Sequence, residues 1–215
     1  VGIANGNIFG FPVKEDEADI VIIPVPWDAT ASYGKGTSDG PQAILDASTQ
    51  LDFYHPQLPE AWNTKVYMTP ISEEWKQINT DLCIQAMEYI RFLEAGGQLT
   101  AESEYNDIVL QINETQQALR DNLKERSISL LNSGKMVAVL GGEHSTPLGL
   151  IEALDSLGKP FGVLQIDAHA DLRDSYEHFA QSHASIMHNV VHRCENLEKL
   201  VQVGIRDVAH SEIEL

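Results

Sequence analysis

The chain has 215 residues, of which 43% are hydrophobic and 7% aromatic, a composition typical of a globular protein with ample length for a core. Its 32 acidic residues outnumber the 14 basic ones, which gives a formal net charge of −18 at pH 7. This charge argues against binding to nucleic acid or to an anionic membrane, both of which select basic surfaces.

Cysteine use and hydropathy indicate a cytoplasmic protein. Cys83 and Cys194 lie far apart and lack metal-ligand spacing, so we expect two reduced core residues. No run approaches the 18 apolar residues of a membrane span, and the start shows no signal-peptide pattern. Because the chain starts with Val1 rather than Met, and Leu215 does not mark an obvious end to the fold, we expect a piece of something longer.

Strands and helices are predicted to alternate along the chain. In chain order we expect a strand over 20–23 closed by Pro24, a helix from Gly40-Pro41 to about Ser48, a strand over 65–68, helices over 72–93 and roughly 101–131, a strand over 136–140, a helix over 148–157, and strands over 161–166 and 200–203. The helix over 101–131 could break near its middle. Apolar strands alternating with helices predict an α/β fold, a three-layer α/β/α arrangement around a central, mainly parallel sheet.

The segment Asp167-Ala168-His169-Ala170-Asp171 directly follows the predicted strand 161–166. In an extended segment alternate side chains point the same way, so Asp167, His169 and Asp171 can converge on one point. Two carboxylates and an imidazole suit Mn²⁺, Zn²⁺, Fe²⁺ or Ni²⁺ better than Ca²⁺. The alternative interpretation is a solvated acidic loop, which the position directly after a buried strand makes the weaker one.

A second cluster, Gly141-Gly142-Glu143-His144-Ser145, follows the predicted strand 136–140. The glycines allow a sharp turn, and Ser145 or Thr146 can cap the next helix. His144 would then lie in a strand-to-helix loop at the carboxyl edge of the sheet, where open α/β sheets bind ligands. We expect Glu143 to orient this loop rather than to bind metal.

A carboxylate can bridge two cations, so the candidate metal ligands could begin a two-metal centre. They are His144, Asp167, His169 and Asp171. Two metals about 3.5–4 Å apart hold and activate a hydroxide that attacks a carbonyl, amidine or guanidine carbon. Four ligands are too few for two metals, and Asp207 is a weak candidate for a fifth.

A further histidine, His183, lies in the segment Gln181-Ser182-His183-Ala184-Ser185 after these ligands. A neutral histidine near the metals could shuttle a proton to a leaving amine. The alternative is an ordinary surface histidine, and the spacing alone leaves both interpretations open.

The two motifs resemble those of the ureohydrolase family, which includes arginase, agmatinase, guanidinobutyrase, formimidoylglutamase and guanidine hydrolase. Gly141-Gly142-Glu143-His144-Ser145 is similar to the first metal motif, with Glu143 where Asp is commoner, and Asp167-Ala168-His169-Ala170-Asp171 is similar to the second. Pro24-Val25-Pro26-Trp27-Asp28 through Gly40-Pro41 looks like the family's N-terminal loop, and Val203-Gly204-Ile205-Arg206 looks like its Gly-Ile-Arg strand. The helical section over about 72–133 looks longer than usual for the family.

The resemblance implies an arginase-like α/β fold over a single domain, 1–215, with two Mn²⁺ ions. It implies His144, Asp167, His169 and Asp171 as metal ligands, with Asp167 bridging. It further implies that Asp171 also hydrogen-bonds the hydroxide and that His183 shuttles protons or lies beside the substrate. A homo-oligomer, a trimer or a hexamer, is the expected assembly.

The family's third motif, Ser-x-Asp-x-Asp-x-x-Asp-Pro, is absent from the 215 residues. The resemblance assigns the last two metal ligands to that motif. We therefore expect the C-terminal part of the fold to be missing from this sequence. A non-catalytic homologue that has lost the motif is the alternative, and the sequence of the gene after Leu215 would distinguish the two.

The specificity segment is most similar to that of bacterial and archaeal agmatinases. Leu172-Arg173-Asp174-Ser175-Tyr176, followed by Ser182-His183-Ala184-Ser185, lacks the positions with which arginases hold an amino-acid head group. The resemblance therefore implies hydrolysis of agmatine, a small cationic guanidino substrate, to putrescine and urea in polyamine biosynthesis. Guanidinobutyrate, guanidine, arginine and formimidoylglutamate are the alternative substrates.

Overall fold

A computed structural model describes residues 3–214, in which helices and strands alternate. In chain order they are β1 (Ile20–Val25), α1 (Gly40–Ser48), β2 (Val66–Met68), α2 (Glu73–Glu94), α3 (Asn106–Asn132), β3 (Met136–Gly141), α4 (Leu148–Asp155), β4 (Phe161–Ile166), α5 (Ile186–Arg193), β5 (Leu197–Val203) and α6 (His210–Ile213). Val1, Gly2 and Leu215, at the ends of the predicted domain, lie outside the described residues. The single domain over 1–215 stays a prediction.

Every strand pair in the described part of the chain is parallel, which confirms the predicted fold class. The strands form two hydrogen-bonded groups, with the orders β2-β1-β3 and β4-β5. Because all the strands of a parallel group run the same way, the loops that follow β1 and β3 leave the same edge, as do those after β4 and β5.

The first group of strands is covered on both faces, as the three-layer prediction requires. Val21, Ile23 and Val25 belong to a core cluster with residues of α2 and α3. Ile20 and Ile22 instead belong to a cluster with the N-terminal segment and α1. This alternation along β1 puts one helical layer on each side of the strands. Between residues 3 and 214, no helix has both the length and the apolar character that crossing a membrane requires.

Helix boundaries follow local hydrogen bonds that hydrophobic periodicity does not reveal. The Ser72 side chain accepts a hydrogen bond from Trp75 N at 3.2 Å and caps α2. Helix α3 is continuous and begins at Asn106, five residues later than predicted, because the Asn106 side chain donates to the carbonyls of Thr100 and Ala101 in a preceding turn. The short helix α5 was not predicted.

Gly142 lets the chain turn tightly at the end of β3. Its φ of +36° is unfavourable for residues with a side chain, and a Cβ at this position would lie 2.8 Å from Val25 O. The next residue, Glu143, donates its N–H to Trp27 O at 2.8 Å. The loops after β1 and β3 are therefore held directly against each other.

Candidate metal centre

The loops after β3 and β4 bring three of the predicted ligands together. His144 Nδ1 lies 2.7 Å from Asp171 Oδ2 and 3.1 Å from Asp167 Oδ2. One potential ligand atom from each residue lies within 4.8 Å of the others. The carboxyl ends of β3 and β4, one strand from each hydrogen-bonded group, therefore deliver an imidazole and two carboxylates to one place.

His169, the fourth predicted ligand, does not join this cluster. Its side chain is largely exposed, with Nδ1 at 3.5 Å from Asp167 Oδ1 and Nε2 at 3.8 Å from Asp207 Oδ2. The extended conformation assumed from the sequence is not present, because Asp171 has a left-handed φ of +55°. The alternation of side chains along a strand therefore does not apply to all three motif residues. Asp207, the weak candidate, lies beside His169.

The buried side-chain amide of Gln165, itself held by Gln202, supports Asp171 from beneath the loop. Gln165 of β4 donates to Asp171 Oδ2 at 3.1 Å, and its own oxygen accepts a hydrogen bond from Gln202 of β5 at 2.6 Å. The Asp171 carbonyl accepts from Met187 N at the start of α5, at 2.9 Å. A left-handed residue other than glycine costs about 1–3 kcal/mol, and these contacts offset that cost. The aspartate is thus fixed in an uncommon conformation at the centre of the cluster.

Glu143 lies behind the cluster and connects two loops, whereas the sequence predicted only that it orients its own loop. Its carboxylate accepts from Thr30 Oγ1 and from Ser145 N, each at 3.0 Å, and also from Ser145 Oγ. Burial raises the pKa of Glu143 to about 7, although these hydrogen bonds oppose the rise. The prediction that Ser145 or Thr146 caps α4 is wrong, because neither side chain accepts a hydrogen bond from the first turn of that helix. The Ser145 hydroxyl donates to the Glu143 carboxylate, and the Thr146 hydroxyl donates to the Glu143 carbonyl.

The charges of the cluster favour a cation. Burial lowers the pKa of His144, but the hydrogen bond and charge of Asp171 and the charge of Asp167 outweigh it and raise the pKa above the ordinary value. Burial likewise raises the pKa of Asp167, but the His169 N–H and the charge of His144 outweigh it and lower the pKa. One imidazole and two carboxylates form a donor set that fits Mn²⁺, Zn²⁺, Fe²⁺ or Ni²⁺.

His183 lies beside a cavity of about 570 Å³ that Asp171 and His169 also line. Its Nδ1 lies 3.1 Å from Thr30 O, and its Nε2 lies 3.5 Å from Ser32 Oγ. A carbonyl can only accept, so Nδ1 carries the proton and Nε2 keeps its lone pair. Burial lowers the pKa of His183 below the ordinary value, which favours the neutral ring.

The loop after β1 also contributes to the site, and residue-by-residue reasoning from the sequence missed it. Thr30 contacts both Glu143 and His183, and Ala31 to Lys35 line the cavity. The available signal was the position of Pro26-Trp27-Asp28 directly after a buried strand, the same signal that marked the other two loops.

Comparisons with known proteins relate the chain to a described family. The family model described as Arginase family matches residues 18–215. An N(1)-aminopropylagmatine ureohydrolase of Synechocystis is 27% identical over 200 residues, which cover 93% of this chain and 54% of that protein. An agmatinase of Bacillus anthracis is 28% identical over 201 residues, which cover 93% of this chain and 56% of that protein. The chain spans about half the length of the curated relatives it matches.

A solved structure has the same fold. The agmatine ureohydrolase of Thermoplasma volcanium superposes with a TM-score of 0.60 at 24% identity, covering 95% of this chain and 56% of that one. At this identity the likeness shows the fold alone. It confirms the arrangement of helices and parallel strands on which the cluster is built.

Proposed function

Because this chain belongs to the arginase family, we propose that it forms part of a metal-dependent hydrolase that releases urea from a guanidino compound. The observation that carries the proposal is the meeting of His144, Asp167 and Asp171 at the carboxyl ends of two strands. Agmatine, converted to putrescine and urea, is the proposed substrate. A small cation suits the formal net charge of −18.

The proposed cofactor is Mn²⁺, held by His144, Asp167 and Asp171. His169, which lies outside the cluster but has Nδ1 3.5 Å from Asp167 Oδ1, is proposed as the fourth ligand. When bound, divalent ions would lower the pKa of water and so provide a nucleophile at neutral pH. The chain's own part is to hold these side chains in place. Gln165 does so for Asp171, and the loop held by Glu143 does so for His144.

His183 is proposed to move the proton that the reaction requires. Hydrolysis adds water across the bond between the guanidino carbon and the amine nitrogen, so the leaving amine must gain a proton. Nε2 of His183 keeps its lone pair because Nδ1 donates to Thr30 O. This nitrogen can therefore accept a proton at the cavity and pass it to the amine.

The cavity wall is suited to a cationic substrate although it contains Arg173. The Arg173 guanidinium lies 4.7 Å from the centre of the Tyr176 ring, and its Nε lies 3.8 Å from a carboxylate oxygen of the buried Glu212. Its charge is thus already paired within the wall. A substrate without a carboxylate, such as agmatine, needs no free arginine.

A longer substrate is a second candidate. The Synechocystis relative is named for N(1)-aminopropylagmatine, and the Bacillus relative for agmatine. Both compounds carry the same guanidino group and differ in the chain attached to it. The cavity of about 570 Å³ has room for either.

The substrate is tested by measuring urea release from the Mn²⁺-loaded protein, expressed from the gene that encodes this sequence. We expect agmatine or N(1)-aminopropylagmatine to exceed arginine and guanidinobutyrate by about tenfold or more in kcat/KM, since Arg173 of the wall is already paired with Glu212 and Tyr176. We expect a similar preference over guanidine, because guanidine lacks the distal amine and its carbon chain. Guanidinobutyrate is the matched control, because it replaces the distal amine of agmatine by a carboxylate.

The other outcomes change the proposal in defined ways. Preference for guanidinobutyrate would contradict the assignment of a cationic substrate but keep the reaction. Formamide release from formimidoylglutamate, without urea from any guanidino compound, would replace the proposed activity by hydrolysis of a formimidoyl substrate, within the same family. Metal binding without turnover of any of these compounds would favour a non-catalytic homologue.

A further inference from the structure

Helix α2 contacts two loops of the candidate site through polar side chains. Asn79 and Cys83, one turn apart, contact Asp28 in the loop after β1. Tyr89, further along the helix, has its hydroxyl 2.5 Å from His178 Nδ1, in the segment between Asp171 and His183. The helix thus does more than cover the apolar face of the strands.

Asn79 and Asp28 form a matched buried pair. Asp28 N donates to Asn79 Oδ1 at 2.8 Å, and Asn79 Nδ2 donates to Asp28 Oδ1 at 2.9 Å. Asp28 is 1% exposed and Asn79 is 4% exposed, so water does not replace these contacts in the folded protein. An unpaired polar group at such depth costs about 1–3 kcal/mol.

Asp28 in turn closes the loop that follows it. Its Oδ2 accepts from Gly36 N at 2.7 Å and from Ser38 N at 3.2 Å. Burial raises the pKa of Asp28, but these hydrogen bonds and that of Asn79 outweigh it, so the pKa lies below the ordinary value. The ionised carboxylate is therefore the form that organises the loop.

Lys35 stabilises the same loop through hydrogen bonds to its backbone carbonyls. Its Nζ donates to the carbonyls of Asp28, Ala29 and Ala31 at 2.8–3.0 Å. The carbonyl of Thr30, between Ala29 and Ala31, does not bind Lys35 but accepts a hydrogen bond from His183 Nδ1. The loop over 28–38 therefore presents one backbone acceptor to His183 while its neighbours are satisfied internally.

We infer that Asn79 is a positioning residue for His183: it fixes Asp28, and through Asp28 the loop whose Thr30 carbonyl keeps the proton of His183 on Nδ1. The inference deepens the proposed function and rests on it for the role of His183. It also gives the long helical section a role at the site. Without Asn79 the carbonyl of Thr30 moves, and the free nitrogen of His183 no longer faces the cavity.

An exchange of the two side chains tests this link. Asn79→Asp places two carboxylates face to face, and Asp28→Asn places two amides face to face, so each single change breaks the pair. The double variant restores the contacts between positions 28 and 79 and those to the loop, because the amide at position 28 donates to the carboxylate at position 79 and still accepts from Gly36 N and Ser38 N. Only the acceptor of the Cys83 thiol is lost. Gln85→Glu, the same amide-to-acid change on the exposed side of α2, is the matched control.

Two readouts apply to each variant. The first is the ¹⁵N chemical shifts of the His183 ring in histidine-labelled protein, assigned by the signal lost in His183→Asn. The second is kcat for urea release with KM measured separately. We expect each single variant to lose the Nδ1–H tautomer and about tenfold in kcat with KM changed less than about threefold, since the proton transfer and not substrate binding is affected.

We expect the double variant to regain the tautomer and to return kcat to within about threefold of the original protein, as coupled partners do in such cycles. A double variant as impaired as the single ones would overturn the inference. So would a proton on Nε2 of His183 in the unchanged protein. If no guanidino compound yields urea, the proposed function fails, while the ¹⁵N shifts still decide whether Asn79 positions His183.

Discussion

Replacing His144 with alanine, or Asp171 with asparagine, is expected to abolish urea release while the fold persists. The first change removes the imidazole and the second replaces a carboxylate by a neutral amide, in the cluster in which His144 Nδ1 lies 2.7 Å from Asp171 Oδ2. Metal ions stabilise developing charge by several kcal/mol, so their loss corresponds to a fall in kcat of about a thousandfold or more. Asparagine is chosen at position 171 because it tolerates the left-handed backbone found there.

Metal content and thermal unfolding are measured on the same samples. We expect both variants to bind less Mn²⁺, and the unfolding midpoint of the metal-free protein to change by no more than about 2–4 °C, the shift that 1 kcal/mol produces in a domain of about 150–250 residues. His192→Ala is the matched control for His144→Ala, since His192 is exposed and lies outside the cluster. Full metal content and full activity in His144→Ala would rule out the proposed centre.

His183→Asn is expected to lower kcat by about 10²–10⁴-fold while metal remains bound, because this is the usual contribution of a positioned acid or base. The asparagine amide can take the place of Nδ1 and donate to Thr30 O, whereas nothing replaces Nε2. The change therefore removes the proton carrier with little effect on the loop that holds it.

The measurement is kcat beside bound Mn²⁺, with added imidazole as a chemical replacement for the lost ring. Partial recovery of kcat with imidazole would support proton transfer at this position. Loss of metal and of the folded state together would show that His183 is structural, and its catalytic assignment would then be wrong.

Hydrophobic patterns predicted the strands and helices where apolar residues dominate. Strand β4 has the predicted bounds, and β3 and α1 agree to within a residue. The start of β5 was missed because Glu198 and Lys199 interrupt the apolar pattern before Leu200. Helix α5 was missed because its eight residues include two histidines, an asparagine and an arginine. The apolar residues between them are too few to show a helical period.

The meeting of His144 with Asp167 and Asp171 could be predicted because it needs only strand order and direction. Both loops follow the carboxyl ends of strands, and the sequence analysis placed both strands in one parallel sheet, which predicts that the loops meet. In the structure the loops do meet, although β3 and β4 belong to separate hydrogen-bonded groups. The orientation of His169 could not be predicted, because the motif is not a regular strand: Asp171 has a left-handed backbone, and the His169 carbonyl accepts a hydrogen bond from Gln165. Gln165 is in turn held by Gln202, a residue that is distant in sequence.

The link from α2 to the site lay outside sequence reasoning for the same reason. Asn79 and Asp28 are 51 residues apart, and the position of Asp28 after a strand does not indicate which helix it contacts. Hydrophobic periodicity places Asn79 in a helix, but it does not indicate which residue the Asn79 side chain contacts. Only the packing of α2 against the loop after β1 shows that its amide faces a buried carboxylate.

The central claim is that the His144, Asp167 and Asp171 cluster holds the metal required for guanidino hydrolysis. The most direct measurement is urea release from agmatine and N(1)-aminopropylagmatine after a chelator has removed bound metal, followed by titration with Mn²⁺. We predict no release from the stripped protein and recovery in proportion to the Mn²⁺ bound. Release that persists after complete metal removal would contradict the claim.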